Sequence, residues 1–316
     1  TRLMETTLMK TKLDKLREIF GSKLQENVRM AHYTTARVGG VVDGLLPVYT
    51  VDELAKAAQA LWELELSFRI LGSGANILVS DEGFHGVMVL NRAHNLKIRS
   101  NAVPPSVLAE SGAIFGTVAR QTALRGLSGL EWATSVPGTV GGAVYGNAGA
   151  HGSDIAHDLE MATILHPNKG IEALSADEMG YQYRSSVFKR KGIPAVILSA
   201  VFKLQPSTRE EAWQKITAFS EKRLASQPPG ASTGSTFKNP EGDYAGRLIE
   251  AAGLKGSQAG QAQISPVHAN FIVNEGGATA QDYYKLIRLA QARVKEKFGV
   301  QLELEIELLG EFKDEQ

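Results

Sequence analysis

The stretch "WATSVPGTVGGAVYGNAGAHG", residues 132–152, consists largely of bare backbone. It contains six glycines and four alanines, and it has no aspartate, glutamate, lysine or arginine. Glycine permits positive φ and lets backbone amides approach a ligand closely. It also has a low propensity for both helices and strands. We therefore predict an irregular segment that lies against a ligand.

Two further glycine clusters occur in the first half of the chain, "ARVGG" (Ala36–Gly40) and "LGSGAN" (Leu71–Asn76). None of the clusters is followed by Gly-Lys-Ser/Thr, so none is a Walker loop. The second begins like a dinucleotide fingerprint, but Ile77 takes the third glycine position and no clear helix opens there, which argues against a standard Rossmann site. Tight turns would explain any one cluster, whereas three together favour a cofactor that carries a pyrophosphate.

Composition excludes several classes of protein. The chain has 34 basic and 34 acidic residues, so its net charge favours neither nucleic acid nor an anionic membrane. It has no cysteine, which excludes disulfides, thiolate metal sites, iron–sulfur clusters and a cysteine nucleophile. No apolar run approaches the roughly 18 residues of a membrane span. We expect a cytoplasmic protein without nucleic-acid or membrane partners, whose redox chemistry, if present, comes from a cofactor.

The 316 residues predict two or three domains. A short amphipathic helix is predicted at 11–26, followed by a strand–helix–strand unit in which Asp52 caps the helix. A later helix closes at Gly126, and a β-rich continuation ends near Pro206. The proline- and glycine-bearing segment "QPPGASTGSTFKNP" (227–240) marks a boundary before a final domain of helices and strands.

Two polar segments stand out as candidate sites. In "YQYRSSVFK", Arg184 offers a guanidinium to a carboxylate or enolate, although an ordinary ion pair would also explain it. In "GSTFKNP", Ser235, Lys238 and Asn239 offer a hydroxyl, an ammonium and an amide to an anionic ligand, although a capped loop would explain them almost as well.

The alternation of "VQLELEIELLG" predicts a final strand with leucine and isoleucine on one face and Glu303, Glu305 and Glu307 on the other. A solvated face accounts for at least two of these glutamates, and the pattern does not choose the third. The histidines show no ligand spacing and therefore predict no metal site; they are His32, His85, His94, His151, His157, His166 and His268.

Eight segments, in order along the chain, resemble the UDP-N-acetylenolpyruvoylglucosamine reductase family. This family consists of flavoenzymes that complete UDP-N-acetylmuramate in bacterial peptidoglycan synthesis. The resemblance covers nearly the whole chain after about Tyr33. The segments are "YTTARVGG", "LGSGANILVSDEGFHGVMV", "GLEWATSVPGTVGGAVYGNAGAHGSDI", "YRSSVFK", "GSTFKNP", "AGRLIEAAGLKG", "HANFIVN" and "LELEIELLG".

The resemblance implies an α+β fold. An FAD-binding α/β plus β region of the vanillyl-alcohol-oxidase (PCMH-type) kind is followed by an α+β substrate-binding domain. The implied domains are an N-terminal helical segment at 1–32, the FAD region at 33–206 with subdomains at about 33–90 and 91–206, the substrate domain at 207–303, and a strand returning to the FAD region at 304–316.

The same resemblance implies that FAD is bound and that NADPH donates the hydride. The loop "GSGAN" offers neither histidine nor cysteine for a covalent tether, so we expect noncovalent FAD. The implied cofactor-binding residues are Arg37, Leu71, Gly72, Ser73, Gly74, Ala75, Asn76, Ile77, Pro137, Gly138, Gly141, Gly142, Asn147, Gly149 and Ala150.

The implied reaction is ping-pong reduction of a UDP-sugar enolpyruvyl ether. Hydride reaches C3, and Arg184, with Glu305 beside it, acts on the enolate that develops. Ser235 then protonates C2 with help from a neighbour such as Lys238 or a water chain. The candidate substrate-binding residues are Tyr183, Lys238, Asn239, His268 and Asn270.

The chain departs from the family in two respects. Family members often have proline where Ala231 begins "ASTGS", which puts the stiffness of that loop in doubt. Only 51 positions separate Arg184 from Ser235, as in the shorter type that lacks an inserted loop with a tyrosine lid. From the family alone we expect a monomer. Two other functions stay open, namely an FAD-dependent oxidase or dehydrogenase of the same fold and a flavin- or nucleotide-binding module without catalysis, such as a redox sensor.

Overall fold

The computed structural model describes residues 2–314. Three residues lie outside the described residues: Thr1, at the start of the predicted segment 1–32, and Glu315 and Gln316, at the end of the predicted segment 304–316. The α-helices are α1 (Arg2–Phe20), α2 (Val51–Glu63), α3 (Phe115–Ala123), α4 (Val140–Gly146), α5 (Ile155–Asp158), α6 (Val187–Lys191), α7 (Arg209–Ser226), α8 (Ala245–Ala251) and α9 (Ala280–Phe298).

Strands occur along the whole described chain after α1. They are β1 (Gln25–Arg29), β2 (Val41–Val48), β3 (Phe68–Leu71), β4 (Ile77–Val79), β5 (Phe84–Asn91), β6 (Leu96–Arg99), β7 (Ser106–Glu110), β8 (Leu127–Ser128), β9 (Gly149–Ala150), β10 (Ser153–Asp154), β11 (Leu159–His166), β12 (Gly170–Leu174), β13 (Val196–Lys203), β14 (Gln205–Pro206), β15 (Ala231–Ser235), β16 (Gln258–Ala259), β17 (Ala262–Ile264), β18 (Phe271–Asn274) and β19 (Glu307–Leu309). This mixture of helices and sheets is the predicted α+β class.

Contacts divide the chain into two compact units, each built from three separate stretches. The first unit comprises Thr1–Val28, Asp43–Gly72 and Gly86–Ser220, and the second comprises Arg29–Val42, Ser73–His85 and Glu221–Gln316. These units differ from the predicted sequence domains, whose boundaries stay a prediction.

The first unit contains two larger sheets besides the two-stranded pairs β9–β10 and β8–β14. One has the order β1-β2-β5-β3, with β3 and β5 parallel. The other is antiparallel, in the order β12-β11-β13-β7-β6. The apolar positions of α2 recur at i, i+3, i+4 and i+7, which places one helix face in the core; the buried residues on this face are Leu54, Ala57, Ala58 and Leu61.

The second unit contains an antiparallel sheet in the order β15-β18-β17-β16 and a separate parallel pair, β4 with β19. Its core forms around α8 and α9, and the ring of Tyr283 is fully buried in it. Helix α9 begins with a capping box, because the Thr279 hydroxyl accepts from the Asp282 amide and the Asp282 carboxylate accepts from the Thr279 amide. It ends before Gly299, which has the left-handed φ of 68°.

Four local predictions are wrong. Residues 132–152 are not irregular throughout, because they contain α4. The N-terminal helix ends at Phe20 rather than near residue 26. The next residue, Gly21, has a φ of 60° and so leaves the helical conformation. Thr50, and not Asp52, caps α2 by accepting from the Glu53 amide at 3.1 Å. The predicted final strand is limited to β19.

The packing of α4 explains why it forms despite its glycines. Val140, Ala143 and Val144 are buried at i, i+3 and i+4, so one face of the helix joins the core of the first unit. This burial outweighs the cost of glycine in a helix, about 1 kcal/mol per residue.

Candidate active site

In the first unit, the glycine stretch packs one face of α4 against the loop after β7. The amides of Val140 and Gly141 donate to the carbonyls of Ala113 and Ser111 at 2.9 and 2.8 Å. A Cβ on Gly141 would lie 3.0 Å from the Ser111 Cβ and 3.1 Å from its carbonyl oxygen, so close packing against Ser111 accounts for the glycine there. A Cβ on Gly142 would meet no described protein atom closer than 3.9 Å. The internal packing of the protein therefore does not explain Gly142.

Two other predicted cofactor residues lie close to the start of α4. A Cβ on Gly72 would lie 2.4 Å from the Thr139 hydroxyl, and the Gly72 carbonyl accepts from Arg92 at 2.9 Å. Gly138, with a φ of 124°, accepts from the Phe115 amide at 3.0 Å. Leu71 is buried at the end of β3, so its side chain belongs to the core.

Asn147 ends α4 in the left-handed region, at a φ of 51°. Its side-chain amide donates to the Gln182 carbonyl at 2.9 Å, and its side-chain oxygen accepts from the Ala156 amide at 3.0 Å. It follows that Asn147 joins three stretches of the first unit. The hairpin after it pairs Gly149 with Asp154 and carries the predicted residue Ala150.

Arg184 occupies the tip of a β-turn. The amides of Gln182 and Ser185 donate to each other's carbonyls at 2.9 and 3.1 Å, which leaves Tyr183 and Arg184 as the central residues. Arg184 has a φ of 53°, a conformation that costs a non-glycine residue of order 1 kcal/mol. Its guanidinium carbon lies 5.6 Å from the centroid of the Tyr183 ring. The turn thus projects a charged and an aromatic side chain together.

The Arg184 turn is anchored to the C-terminal end of α4. The Tyr181 hydroxyl donates to the Val144 carbonyl at 2.8 Å, and the Ser186 hydroxyl donates to the Tyr145 carbonyl at 2.7 Å. These bonds satisfy carbonyls that a helix end leaves without partners. Burial, assisted by Asp154, raises the pKa of Tyr181, which keeps its hydroxyl protonated as a donor. One helix therefore carries Gly141 and Gly142 of the predicted cofactor residues and anchors the Arg184 turn.

In the second unit, the loop of Ser73–Ile77 lies against residues 33–35. A Cβ on Gly74 would lie 2.2 Å from the Tyr33 carbonyl oxygen, and Gly74 has a φ of 67°. The Thr35 hydroxyl donates to the Ser232 carbonyl at 2.7 Å and lies 3.3 Å from the Gly74 carbonyl. Thr35 therefore ties the predicted cofactor loop to β15, a role that the sequence analysis missed although Thr35 lies in the quoted "YTTARVGG".

The same loop offers groups that a ligand could engage. The Ser73 hydroxyl is buried and has no hydrogen-bond partner within residues 2–314. Arg37 is exposed at a φ of 57°, in a turn closed by its amide donating to the Thr34 carbonyl at 3.1 Å. The Asn274 side chain holds this turn by donating to the Ala36 carbonyl at 3.0 Å.

The C-terminal segment joins the loop through Asn76. The Asn76 side-chain amide donates to the Glu305 carbonyl at 3.2 Å, and the Glu307 amide donates to the Asn76 carbonyl at 2.9 Å. From there β19 runs parallel to β4, with Glu307 opposite Ile77. The predicted cofactor loop and the predicted catalytic glutamate are thus in direct contact.

Ser235 ends β15 after an irregularity in the sheet. Register between β15 and β18 shifts after Ser232 and resumes with Ser235 opposite Phe271. Gly234 takes a φ of 72° within this bulge. Bulges of this kind re-aim a side chain next to a site.

Residues that follow Ser235 pair with the segment that contains Glu305. The Glu305 amide donates to the Thr236 carbonyl, and the Lys238 amide donates to the Glu303 carbonyl, both at 2.9 Å. The Lys238 ammonium lies 3.8 Å from the Glu303 carboxylate, whose side chain is 74% exposed. Glu305 is only half-buried. The structure therefore brings Ser235, Lys238 and Glu305 into one pair of adjacent segments.

The remaining predicted substrate residues are engaged with neighbouring backbone. The Asn239 side-chain oxygen accepts from the Ala245 amide at 3.0 Å at the start of α8. His268 accepts at Nδ1 from the Asn270 amide at 3.2 Å. Burial, and then the charge of Lys255, lowers the pKa of His268 below its ordinary value. Asn270 is 4% exposed, and its side chain bonds to both backbone groups of Phe237.

Residues 2–314 contain no cluster of three or more histidine, aspartate or glutamate side chains arranged to hold a metal ion. No helix in the described part of the chain is both long and apolar enough to span a membrane.

Residues 27–170 match the FAD binding domain, so the chain is a flavoprotein. Residues 226–309 match the C-terminal domain of UDP-N-acetylenolpyruvoylglucosamine reductase. Relatives with that name support the match along nearly the full length. The protein of Rubrobacter xylanophilus is 41% identical over 92% of this chain and 96% of its own length, and that of Carboxydothermus hydrogenoformans is 42% identical over 94% and 98%.

A solved structure supports the same assignment. The crystal structure of UDP-N-acetylenolpyruvylglucosamine reductase from Thermus caldophilus superimposes with a TM-score of 0.75 at 34% identity, covering 90% of this chain and 98% of that one. The chain belongs to the UDP-N-acetylenolpyruvoylglucosamine reductase family.

Proposed function

We propose that this chain reduces UDP-N-acetylglucosamine-enolpyruvate to UDP-N-acetylmuramate with NADPH through noncovalent FAD, as a cytoplasmic monomer of the shorter type. Full-length family similarity supports the reaction. One observation carries the assignment of residues: the segment after Ser235 is hydrogen-bonded to the segment of Glu305.

The residues present fit FAD in both units. In the first unit, Gly142 leaves open space where a side chain would otherwise stand. In the second unit, the Ser73 hydroxyl is buried without a partner within residues 2–314, and Arg37 is exposed on a turn beside the same loop. Backbone amides at glycine, a hydroxyl and a guanidinium are all hydrogen-bond donors that can bind the oxygens of a pyrophosphate. The loops of 71–77 and 137–150 would hold FAD, which supplies hydride transfer when it is bound.

Arg184 and Glu305 would act on the carboxylate side of the enolpyruvyl group. A guanidinium presents several donors in a fixed fork, and its charge opposes the negative charge that develops as an enolate forms. The position of Arg184 at a turn anchored by three side chains limits its reorganisation during the reaction. Glu305 would lie beside the reacting group, as the family resemblance implies.

Ser235 would deliver the proton to C2. A hydroxyl has a high intrinsic pKa, so a general acid of this type needs a neighbour that stabilises the charge left after proton transfer. Lys238 is three residues away on the same segment, and its side chain is 25% exposed. The candidates for binding the UDP-sugar still include Tyr183, Lys238, Asn239 and His268.

Stopped-flow measurement of the two half-reactions tests this proposal. In Ser235→Ala, NADPH should bleach the flavin at the wild-type rate, while reoxidation by the enolpyruvyl substrate should slow by about 10²–10⁴-fold. Equal slowing of both halves would remove Ser235 from the role of acid. Two results would overturn the proposed reaction. One is a protein that binds no FAD, and the other is a reduced flavin that is reoxidised by the ketone form of another small hydroxy compound and not by the enolpyruvyl ether.

A further inference from the structure

We propose that Asn270 is a positioning residue that holds Ser235 in register with Glu305, rather than a ligand of the sugar nucleotide. This inference rests on the proposed function of Ser235. It starts from the end of the β15–β18 ladder, whose last pair is Ser235 with Phe271. The next residue, Thr236, donates its amide to the Asn270 carbonyl, so Asn270 continues the pairing beyond the last pair of the ladder.

Asn270 binds the following two residues through three hydrogen bonds. Its backbone carbonyl accepts from the Thr236 amide at 2.8 Å. Its side-chain oxygen accepts from the Phe237 amide at 2.9 Å, and its side-chain nitrogen donates to the Phe237 carbonyl at 2.9 Å. One amide side chain thus satisfies both backbone groups of Phe237, as a neighbouring strand would.

The opposite edge of the same segment faces the C-terminal segment. There the Thr236 carbonyl and the Lys238 amide bond to Glu305 and Glu303, and Phe237 forms an antiparallel bridge with Leu304. Residues 236–238 therefore lie as a short central strand between Asn270 and residues 303–305. The position of Ser235 relative to Glu305 is set through this strand.

The burial of Asn270 favours a positioning role over contact with the sugar nucleotide. Asn270 is 4% exposed, and Phe237, which it brackets, is 2% exposed. An asparagine has two N–H donors and one carbonyl oxygen, and here one donor and the oxygen are used by the backbone. Without Asn270, the buried Phe237 amide and carbonyl would lose their partners, and the strand would shift to find new ones.

The experiment measures both half-reactions of the FAD-loaded full chain in Asn270→Ala, Ser235→Ala and the double variant. Because a displacement of about 1 Å can cost 10²-fold, Asn270→Ala should slow reoxidation by the enolpyruvyl substrate about 10–100-fold and leave flavin reduction by NADPH unchanged. In the double variant, reoxidation should be no slower than in Ser235→Ala alone, because Asn270 acts through Ser235.

Gln291→Ala is the matched control. The Gln291 side chain also donates to a backbone carbonyl, that of Leu302 at 3.1 Å, in the same C-terminal segment but away from Phe237. It should lose less stability than Asn270→Ala, because one bond of a half-buried side chain is removed instead of two buried ones, and it should keep both half-reactions. If Asn270→Ala does not fold, Asn270→Ser takes its place in every comparison, since it places a neutral polar side chain at this buried position and still removes the amide that brackets Phe237.

The outcomes separate the two hypotheses. Additive losses in the double variant, a wild-type rate of reoxidation without Asn270, or an increase of KM for the sugar nucleotide with an unchanged limiting rate would each overturn the positioning role. A normal reoxidation rate in Ser235→Ala would instead remove the proposed acid, whatever Asn270 does.

Discussion

The side-chain amide of Asn76 donates to the backbone carbonyl of Glu305 at 3.2 Å, across 229 positions of sequence. The Glu307 amide returns a bond to the Asn76 carbonyl at 2.9 Å. The loop proposed to hold the cofactor therefore fixes the backbone of the glutamate proposed to act on the substrate.

Asn76→Ala should slow reoxidation of reduced flavin by the enolpyruvyl substrate about 5-fold, because one hydrogen bond of about 1 kcal/mol is lost from the backbone of Glu305. Asn76→Asp should slow it more, since a carboxylate oxygen would then face the Glu305 carbonyl. Stopped-flow traces of the second half-reaction give both rates. Rates that match the wild type in both variants would show that this contact does not set the position of Glu305.

Gly142→Ala should weaken FAD binding while leaving the apoprotein as stable as the wild type, or up to about 1 kcal/mol more stable. The open space at this position and the higher helix propensity of alanine give that sign. Flavin fluorescence titration and chemical unfolding of the apoprotein measure the two effects. Gly141→Ala is the comparison, because its Cβ would press on Ser111 and should destabilise the apoprotein. Unchanged FAD affinity in Gly142→Ala would mean that no ligand passes this glycine.

Arg184→Gly should separate stability from catalysis. Glycine adopts the φ of 53° without strain but increases the entropy of the unfolded chain, so these two opposing effects, each of about 1 kcal/mol, should leave the free energy of unfolding nearly unchanged. Loss of the guanidinium should slow the second half-reaction about 10²–10³-fold. Denaturant unfolding and the same stopped-flow assay report the two quantities. Wild-type reoxidation in this variant would leave Arg184 as a surface residue of the turn.

His268 should titrate below its ordinary pKa of about 6.5, because burial and Lys255 disfavour its protonated form. The unfolded chain then binds the proton first as pH falls, so stability should decrease from about pH 6.5 downward until the native His268 also protonates. The shift of its imidazole resonance with pH measures the pKa. His268→Gln should be less sensitive to pH in unfolding experiments over the same range, and equal sensitivity would contradict the assigned cause.

Long periodic elements were predictable from sequence, and α9 shows why. Its apolar residues repeat at helical spacing and its first turn has capping residues, so local preference and tertiary packing agree. Helix α4 was missed because local preference and packing disagree there. Its glycines lower helix propensity, and only the buried face of Val140, Ala143 and Val144 compensates.

The sequence predicted which residues belong to the candidate site, but it did not predict which other residues they contact. Asn270 was predicted to bind substrate, and its contacts with the backbone of Phe237 were not foreseen, because nothing in "HANFIVN" reveals which backbone lies opposite. The pairing of residues 236–238 with 303–305 joins parts of the chain more than 60 positions apart, and no local pattern encodes it. The choice of Glu305 among three alternating glutamates came from the family resemblance, and its catalytic role stays a proposal.

The discontinuous second unit has a consequence for synthesis on the ribosome. Its first two stretches, Arg29–Val42 and Ser73–His85, leave the ribosome long before the third, which begins at Glu221. At a translation rate of about 5–20 residues per second, these nascent segments wait roughly ten seconds to a minute for their partners. During that interval the apolar side chains of Ala36, Val38 and Leu78, destined for the core around α8 and α9, have nothing of their own unit to pack on. Chaperone binding to stalled nascent chains should therefore be concentrated on these early segments and should end once α9 emerges.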